Sequence, residues 1–178
     1  MLNKINLEAL NKYKKLITTK PEEAIAKMGV TANWKGGVNT EITTHPKSVG
    51  SAQIEQTFKY IIGEPEELLG DNQHPNPQDY ILGGLAGCMM VGFVASASAK
   101  GISLDSVRLE IIGQLDLRGF LEIDPAVSVG FENLQFNFVV EGNATQEDYK
   151  AIIEHVRKIS PGYRTIADPV QITINENL

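Results

Sequence analysis

Cysteine is almost absent from this chain, in which Cys88 is the only one among 178 residues. A single cysteine cannot form a disulfide within the chain, and structural disulfides are typical of secreted proteins. The first residues, MLNKINLEALNKYKK, contain neither a long apolar run nor a small-residue cleavage site, so no signal peptide is predicted. We therefore expect a protein of a reducing compartment, the cytoplasm.

Basic charge and the common ligand-binding motifs are also missing. The formal net charge is -6, which argues against nucleic acid as a partner because phosphate binding needs a basic face. The sequence has no C-x-x-C, H-E-x-x-H, P-loop or G-x-G-x-x-G motif. The three histidines, His45, His74 and His155, lie on separate predicted elements without ligand spacing. Neither a metal nor another cofactor is therefore predicted.

One segment, residues 80–99, carries no charged side chain over 20 residues, which is the length of a membrane span. It is rich in Gly, Ala and Ser, and it ends at Asp79 and Lys100 without a basic cluster. The segments on either side alternate apolar and polar residues, as strands with a water-facing side do. We therefore favour the buried axis of a soluble protein over a membrane helix.

Hydrophobic periodicity predicts an α+β fold with antiparallel sheets around a long buried helix. Helical spacing predicts helices over residues 5–17 and 145–159, the second capped by Thr145. Pro21 early in the segment, followed by Glu22 and Glu23, predicts a short helix over 19–28. Asn76-Pro77 predicts the start of a helix over 77–100, and Gly101 its end. Alternation predicts two strands joined at Gly36-Gly37 within residues 30–44, and further strands over 53–62, 104–117, 134–140 and 170–174. The strand over 104–117 is predicted with or without a bulge at Ile111-Ile112.

The order of these elements is not the regular strand–helix alternation of parallel sheets, so helices are expected on one face of the sheet. Loops are predicted at residues 63–77 and 118–130, and Ser160-Pro161-Gly162 is predicted to break the last helix. The first 28 residues are predicted to be a helical extension of a domain that spans residues 29–178.

The only thiol lies within GGLAGCMMVGF, residues 83–93. A free cysteine often behaves as a small buried hydrophobe, and Gly83-x-x-x-Gly87 would let another helix approach closely, so one interpretation of Cys88 is packing. A reactive thiol needs a lowered pKa, from a cation or a helix N-terminus. Cys88 lies about a dozen residues into its predicted helix, so the start of that helix cannot help.

Three segments carry a resemblance to a known superfamily: NPQDYILGGLAGC (76–88), GISLDSVRLEIIGQLDLRGF (101–120) and ISPGYRTIADPVQITI (159–174). In this order and spacing they resemble the osmotically inducible and organic hydroperoxide resistance proteins, OsmC/Ohr. The resemblance covers about residues 30–176, and the N-terminal segment resembles the extension of one branch. It implies an intertwined homodimer in which two long central helices pack between sheets contributed by both chains.

The resemblance also implies a thiol-dependent peroxidase. In the best-known branches, the cysteine of the central helix attacks the terminal oxygen of an organic hydroperoxide. The resulting sulfenic acid condenses with a second cysteine, and an external dithiol restores the pair. An arginine lowers the pKa of the first thiol, and a glutamate at the helix start holds that arginine.

Carried over by position, Cys88 matches the attacking cysteine, Gln78 the glutamate and Ser160 the second cysteine. No arginine matches in the N-terminal strand region, where Lys35 is the nearest cation, and Arg164 is another source of charge. A serine cannot close a disulfide, so a sulfenic acid on Cys88 would need an external thiol. The resemblance is therefore to a one-cysteine branch.

Three functions remain open from the sequence. The first is a peroxidase that reduces organic hydroperoxides through Cys88, with an external thiol as the resolving reductant. The second is a catalytically impaired dimer that binds an apolar small molecule in its interface cleft, and the third is a structural dimer in which Cys88 only packs. The expected partners are a second copy of the chain, an organic hydroperoxide or other apolar small molecule, and a thiol reductant. Nucleic acid and membrane are not expected.

Overall fold

The computed structural model describes residues 1–175, and the last three residues of the predicted domain lie outside this range. The fold is mixed α+β with antiparallel sheets and one long helix, as predicted. The helices are α1 (Leu7–Thr19), α2 (Pro77–Ala99), α3 (Leu117–Phe120), α4 (Gln146–Ile159) and α5 (Pro161–Ala167). The strands are β1 (Ala26–Lys27), β2 (Val30–Gly36), β3 (Asn39–Thr44), β4 (Lys47–Val49), β5 (Ala52–Ile54), β6 (Lys59–Ile62), β7 (Leu104–Gly113) and β8 (Leu134–Gly142).

The chain divides into two compact units, which we call the N-terminal unit (Asn6–Gly83) and the C-terminal unit (Met1–Ile5 with Gly84 onward). The N-terminal unit contains α1 and two three-stranded antiparallel sheets, ordered β1-β4-β5 and β2-β3-β6. The predicted division into residues 1–28 and 29–178 stays a prediction.

The predicted strand pair at Gly36-Gly37 is confirmed as β2 and β3. Gly36 and Gly37 have φ of +104° and +55°, a region that favours glycine and lets the chain reverse between the two strands. The two strands pair with Ala32 opposite Ile42 and Trp34 opposite Thr40. The turn depends only on these two neighbouring glycines, so it could be predicted from the sequence.

Two predictions in the N-terminal unit are wrong. The helix over 19–28 is a 3₁₀ turn at Pro21–Ala24 followed by β1, because the chain leaves the turn extended at Ile25 and pairs Ala26 with Val49. The single strand over 53–62 is two strands, since β5 pairs with β4 while β6 pairs with β3. Residues 55–58 join them without regular pairing, and β4 was not predicted.

The core of the C-terminal unit lies between α2, α4 and the two-stranded sheet β7-β8. On α2, the buried side chains of Leu85, Met89, Phe93 and Ala97 recur every four residues and so lie on one helix face. On α4, Tyr149, Ile152 and Val156 form the complementary apolar face. Burial of an aliphatic or aromatic side chain contributes on the order of 2 kcal/mol, so this layer holds α2 in place.

Two cross-strand pairs of the β7-β8 sheet pack against this core. They are Leu109 opposite Phe138 and Ile111 opposite Phe136. The irregularity in β7 lies between Leu104 and Ser106, so the bulge considered at Ile111-Ile112 is wrong. The strand also ends at Gly113 rather than at residue 117. The predicted loop at 118–130 begins with the single turn α3, which the side chain of Asp116 caps.

Local capping sets the bounds of both long helices in the predicted places. At the start of α2, the Asn76 side chain accepts a hydrogen bond from the Asp79 amide at 2.9 Å, and the Asp79 carboxylate accepts one from the Asn76 amide at 2.9 Å. Thr145 and Asp148 form the same reciprocal capping box on α4. By length and composition α2 could cross a membrane, but its apolar face is used in the core of the C-terminal unit.

The strand predicted over 170–174 is wrong. Residues 168–175 form no strand within the described chain, and Ile172 and Ile174 are each 81% exposed. Alternating Val and Ile satisfy the sequence pattern, but a strand exists only where another backbone pairs with it. The break after α4 is confirmed, and α5 begins immediately at Pro161.

Candidate functional site

Cys88 is half-buried on α2, and its sulfur faces the start of α5. Two groups donate hydrogen bonds to the Cys88 Sγ atom, the Ser160 hydroxyl at 3.3 Å and the Gly162 backbone N–H at 3.3 Å. Both donors lie at the start of α5, Ser160 as its N-cap and Gly162 in its first turn. The thiol is therefore neither loose at the surface nor enclosed only by apolar side chains.

Ser160 stands at the junction of the two helices and is 2% exposed. Its backbone N–H continues the α4 ladder by donating to the Val156 carbonyl at 2.8 Å. Its hydroxyl oxygen accepts a hydrogen bond from the Tyr163 amide at 3.3 Å, which caps α5. The same hydroxyl therefore accepts from Tyr163 and donates its hydrogen to the Cys88 sulfur.

Gly162 can approach the thiol because it has no side chain. A Cβ atom at this position would stand 2.9 Å from the Cys88 Cβ and 3.3 Å from the Cys88 Sγ. The amide lies in the first turn of α5, where backbone N–H groups have no partner within the helix. The sulfur takes the place of that partner.

Tyr163 holds the start of α5 against the rest of the C-terminal unit. Its ring centroid lies 5.9 Å from that of Phe136 on β8, and the Arg157 guanidinium lies 5.7 Å from it. An aromatic ring fixed on two sides positions the adjacent amide of Gly162 and the capping hydroxyl of Ser160.

The two hydrogen bonds fix the position of the sulfur. The Ser160 hydroxyl and the Gly162 N–H both reach the Sγ atom from the turn that begins α5, and neither group carries a charge. The described site therefore holds its one nucleophilic atom in place through two neutral donors.

The two predicted cations are each paired with a carboxylate. The Lys35 ammonium, on β2, lies 3.4 Å from the Glu41 carboxylate, and the Arg164 guanidinium, in the last turn of α5, lies 2.6 Å from that of Asp168. Gln78 lies in the first turn of α2, ten residues before Cys88. Of the predicted supporting residues, only Ser160 makes a described hydrogen bond to the sulfur.

Acidic groups lie in the N-terminal unit around the start of α2. Burial and, to a smaller extent, the charge of Asp79 raise the pKa of the Glu64 carboxyl above its usual value of 4.5.

No group of three or more His, Cys, Asp or Glu side chains within residues 1–175 is arranged to hold a metal ion.

Gly162 is the residue in contact with the Cys88 sulfur that sequence reasoning missed. The sequence analysis predicts a helix break at Ser160-Pro161-Gly162 and matches Ser160 to the second cysteine, but it gives Gly162 no contact with the thiol. It considers only the distant start of α2 as a source of helix N–H groups. Ser followed by Pro is also the signature of a helix start, with Ser as the cap and Pro at the first position. That signal predicts α5, but not that its first turn faces Cys88.

The fold and the site together define a class: an α+β protein whose central helix carries one thiol opposite a second, capped helix. The family model described as OsmC-like protein matches residues 70–175, and the chain therefore belongs to the OsmC-like family, as the sequence motifs indicated. No curated protein matches the chain.

Two similar solved structures extend this finding. An OsmC-like protein from Mycoplasma pneumoniae is 17% identical over 79% of this chain and 87% of that chain, with a TM-score of 0.62. An OsmC-like protein of unknown function from Vibrio cholerae O1 biovar eltor str. N16961 is 12% identical over 79% of this chain and 94% of that chain, with a TM-score of 0.58. At these identities the likeness shows the fold.

Proposed function

We propose that this OsmC-like protein reduces organic hydroperoxides through Cys88 and an external thiol. The observation that carries the proposal is the pair of donors, Ser160 and Gly162, within 3.3 Å of the Cys88 sulfur. A thiolate is the reactive form of cysteine toward a peroxide oxygen. Two hydrogen-bond donors directed at the sulfur are a feature that a packing cysteine does not require.

The reaction balances with the residues present and one reductant. The Cys88 sulfur attacks the terminal hydroperoxide oxygen, the O–O bond breaks, and the remainder of the substrate leaves as an alcohol after taking up a proton. Cys88 becomes a sulfenic acid. One external thiol displaces water from it to form a mixed disulfide, and a second releases Cys88 as the oxidised reductant departs. Ser160 stands where a resolving thiol would, and cannot replace it.

An apolar substrate suits the surroundings of the thiol. Residues 80–99 carry no charge, so the part of α2 around Cys88 offers a charged peroxide no pairing group. An alkyl or fatty-acyl hydroperoxide buries its chain favourably against such a surface. We propose this class of substrate rather than hydrogen peroxide.

We also propose that the protein works as a homodimer in the cytoplasm. A Cβ added at Gly84 or Gly87 would meet no atom within 4 Å, and Val91 on the same helix is 70% exposed. An open apolar helix face of small residues suits close packing against a second copy of α2. The likeness to OsmC-like structures favours a soluble protein.

A second candidate is a binding protein without turnover, which takes an apolar small molecule in a cleft of the dimer. The ion pairs of Lys35 with Glu41 and of Arg164 with Asp168 favour it, because both predicted cations are already neutralised. The two candidates differ in whether peroxide consumes the thiol.

The test is consumption of cumene hydroperoxide in the presence of dithiothreitol by the purified protein and by Cys88→Ser. We expect consumption by the wild type and none above background by the variant, with both eluting alike in size-exclusion chromatography. In parallel, peroxide should protect the wild-type thiol from alkylation by iodoacetamide. Equal consumption by both proteins would exclude the thiol mechanism. If the thiol is alkylated only in denaturant and does not react with peroxide, the result would support the second candidate, a binding protein without turnover.

A further inference from the structure

The oxidised state of Cys88 has an intramolecular partner other than a thiol. The described chain holds no second cysteine to trap a sulfenic acid, yet the Gly162 backbone nitrogen lies 3.3 Å from the Cys88 sulfur. A sulfenic acid can condense with a backbone nitrogen to form a cyclic sulfenamide. The contact therefore places a known reaction partner of sulfenic acid beside this sulfur.

Three features of the structure suit the Gly162 nitrogen to this bond. The amide is in the first turn of α5, so no intrahelical hydrogen bond is lost when its proton leaves. Glycine leaves the path between nitrogen and sulfur open, whereas a Cβ would stand 2.9 Å from the Cys88 Cβ. The Tyr163 ring, packed on Phe136, holds the segment at this distance.

We infer that Cys88, once oxidised by an organic hydroperoxide, closes onto the Gly162 nitrogen as a reversible sulfenamide that joins α2 to α5. This inference rests on the proposed function, which supplies the oxidant. The S–O bond of the sulfenic acid breaks and an S–N bond forms, while the sulfenic hydroxyl and the amide proton leave as one water. The sulfur keeps the oxidation level of the sulfenic acid. An external thiol later attacks the sulfur, the S–N bond breaks, and the nitrogen regains its proton.

The sulfenamide would protect a one-cysteine peroxidase from irreversible oxidation of its thiol. A sulfenic acid that waits for an external thiol is open to further oxidation to sulfinic acid, which thiols do not reverse. Closure onto Gly162 removes the hydroxyl and shields the sulfur, so the enzyme survives when the reductant is scarce. The reductant must then reach a sulfur bonded to α5, which favours a small thiol over a bulky protein dithiol.

The experiment is intact mass spectrometry of the denatured full-length protein after treatment with one equivalent of cumene hydroperoxide without reductant. A sulfenamide makes a single chain about 2 Da lighter, whereas a sulfenic acid makes it about 16 Da heavier. In a chain with one cysteine, an intrachain disulfide cannot produce this loss, and a disulfide between two chains doubles the mass. Tandem mass spectrometry should map the link between the peptides that contain Cys88 and Gly162, and dithiothreitol should abolish it.

Two variants test whether the Cys88 sulfur bonds to the Gly162 nitrogen or to the neighbouring Ser160 oxygen. Ser160→Ala should retain the loss of about 2 Da, because the bond is to nitrogen. Gly162→Ala should reduce it several-fold, since the added methyl pushes α5 from the sulfur, and Gly130→Ala, where a Cβ meets nothing within 4 Å, is the matched control. A link mapped to Ser160, or a Ser160→Ala chain that forms the dimedone-reactive sulfenic acid but never the lighter product, would overturn the inference.

The outcomes also distinguish this inference from the proposed function. If dimedone traps a sulfenic acid on Cys88 while no lighter chain forms in the wild type, the sulfenamide is wrong and the peroxidase stands. If peroxide leaves the mass of the wild-type chain and its dimedone reactivity unchanged, both proposals fail. The wild-type measurement decides either way, even if a variant fails to fold.

Discussion

The described hydrogen-bond donors around Cys88 are neutral, whereas the OsmC/Ohr resemblance implies a cation and a second thiol beside it. Ser160 and Gly162 each contact the sulfur at 3.3 Å, while Arg164 is engaged with Asp168. Close hydrogen bonds from neutral donors depend little on ionic strength, because screening acts mainly on charge pairs. The polar contacts to the sulfur therefore come from one hydroxyl and one backbone N–H rather than from charged side chains.

The position of Ser160 gives a direct prediction at this scale. We expect Ser160→Cys to form a disulfide with Cys88 on treatment with cumene hydroperoxide, because the Ser160 oxygen is already 3.3 Å from the sulfur and a disulfide needs about 2 Å. Loss of both free thiols, measured with a thiol reagent in denaturant, checks this.

Ser98→Cys is the matched control for that experiment. Ser98 is a second buried serine, 1% exposed, and lies ten residues beyond Cys88 on the same helix. Ten helical residues span about 15 Å, too far for a disulfide, so both of its thiols should remain free. Two free thiols in Ser160→Cys after peroxide would show that the two positions do not meet in solution.

Among the elements, the segment after β7 depends on a charge pair as well as on packing. Asp116 caps α3 and accepts hydrogen bonds from the Arg118 side chain and backbone. These contacts lower the pKa of the Asp116 carboxyl from 3.8 to about 2. Gly119 adds a close approach in the same turn, since a Cβ there would stand 2.8 Å from the Ser128 carbonyl oxygen.

The lowered pKa predicts a pH dependence of stability. Because the pKa of Asp116 is lower in the folded state, its carboxylate stabilises the fold above pH 3.8, and this contribution is lost as pH falls toward about 2. We expect Asp116→Asn to be less stable than the wild type in urea at neutral pH, and the difference to vanish near pH 2. A difference that is the same at both pH values would assign the effect to shape rather than charge.

At the scale of the whole molecule, the exposed face of α2 is the feature that the single chain does not explain. The helix buries Leu85, Met89 and Phe93 on one side, while Val91 is 70% exposed. In an isolated chain, replacing an exposed helical glycine by alanine stabilises the helix by up to about 1 kcal/mol. Against a second copy of α2, the same methyl would separate the helices.

Gly87→Ala tests whether this face of α2 is exposed to solvent or packed against a second copy of α2. A Cβ at Gly87 would meet nothing within 4 Å in the single chain, so only a partner could be displaced by it. We expect the variant to dissociate at a protein concentration at least tenfold higher than the wild type, measured by analytical ultracentrifugation, with Gly130→Ala as the control. An unchanged dimer with raised stability would place this face in solvent and the dimer contact elsewhere.

The sequence by itself determined the features that depend on neighbouring residues. The caps at Asn76 and Thr145 mark where α2 and α4 begin, Gly36-Gly37 reverses the chain, and Gly101 marks where α2 ends. Cys88 and Ser160 were paired through the family resemblance. These features were legible because capping, turns and periodicity are short-range physics.

Only the tertiary structure decided what depends on distant backbone. The two helices bring the amide of Gly162 to Cys88 although the residues are 74 apart in sequence, and no local pattern records that approach. The same reason explains the errors: residues 170–174 carry a strand pattern without a partner strand, and β5 and β6 separate because each pairs elsewhere. Pairing and close approach are set by which segments the core packs together.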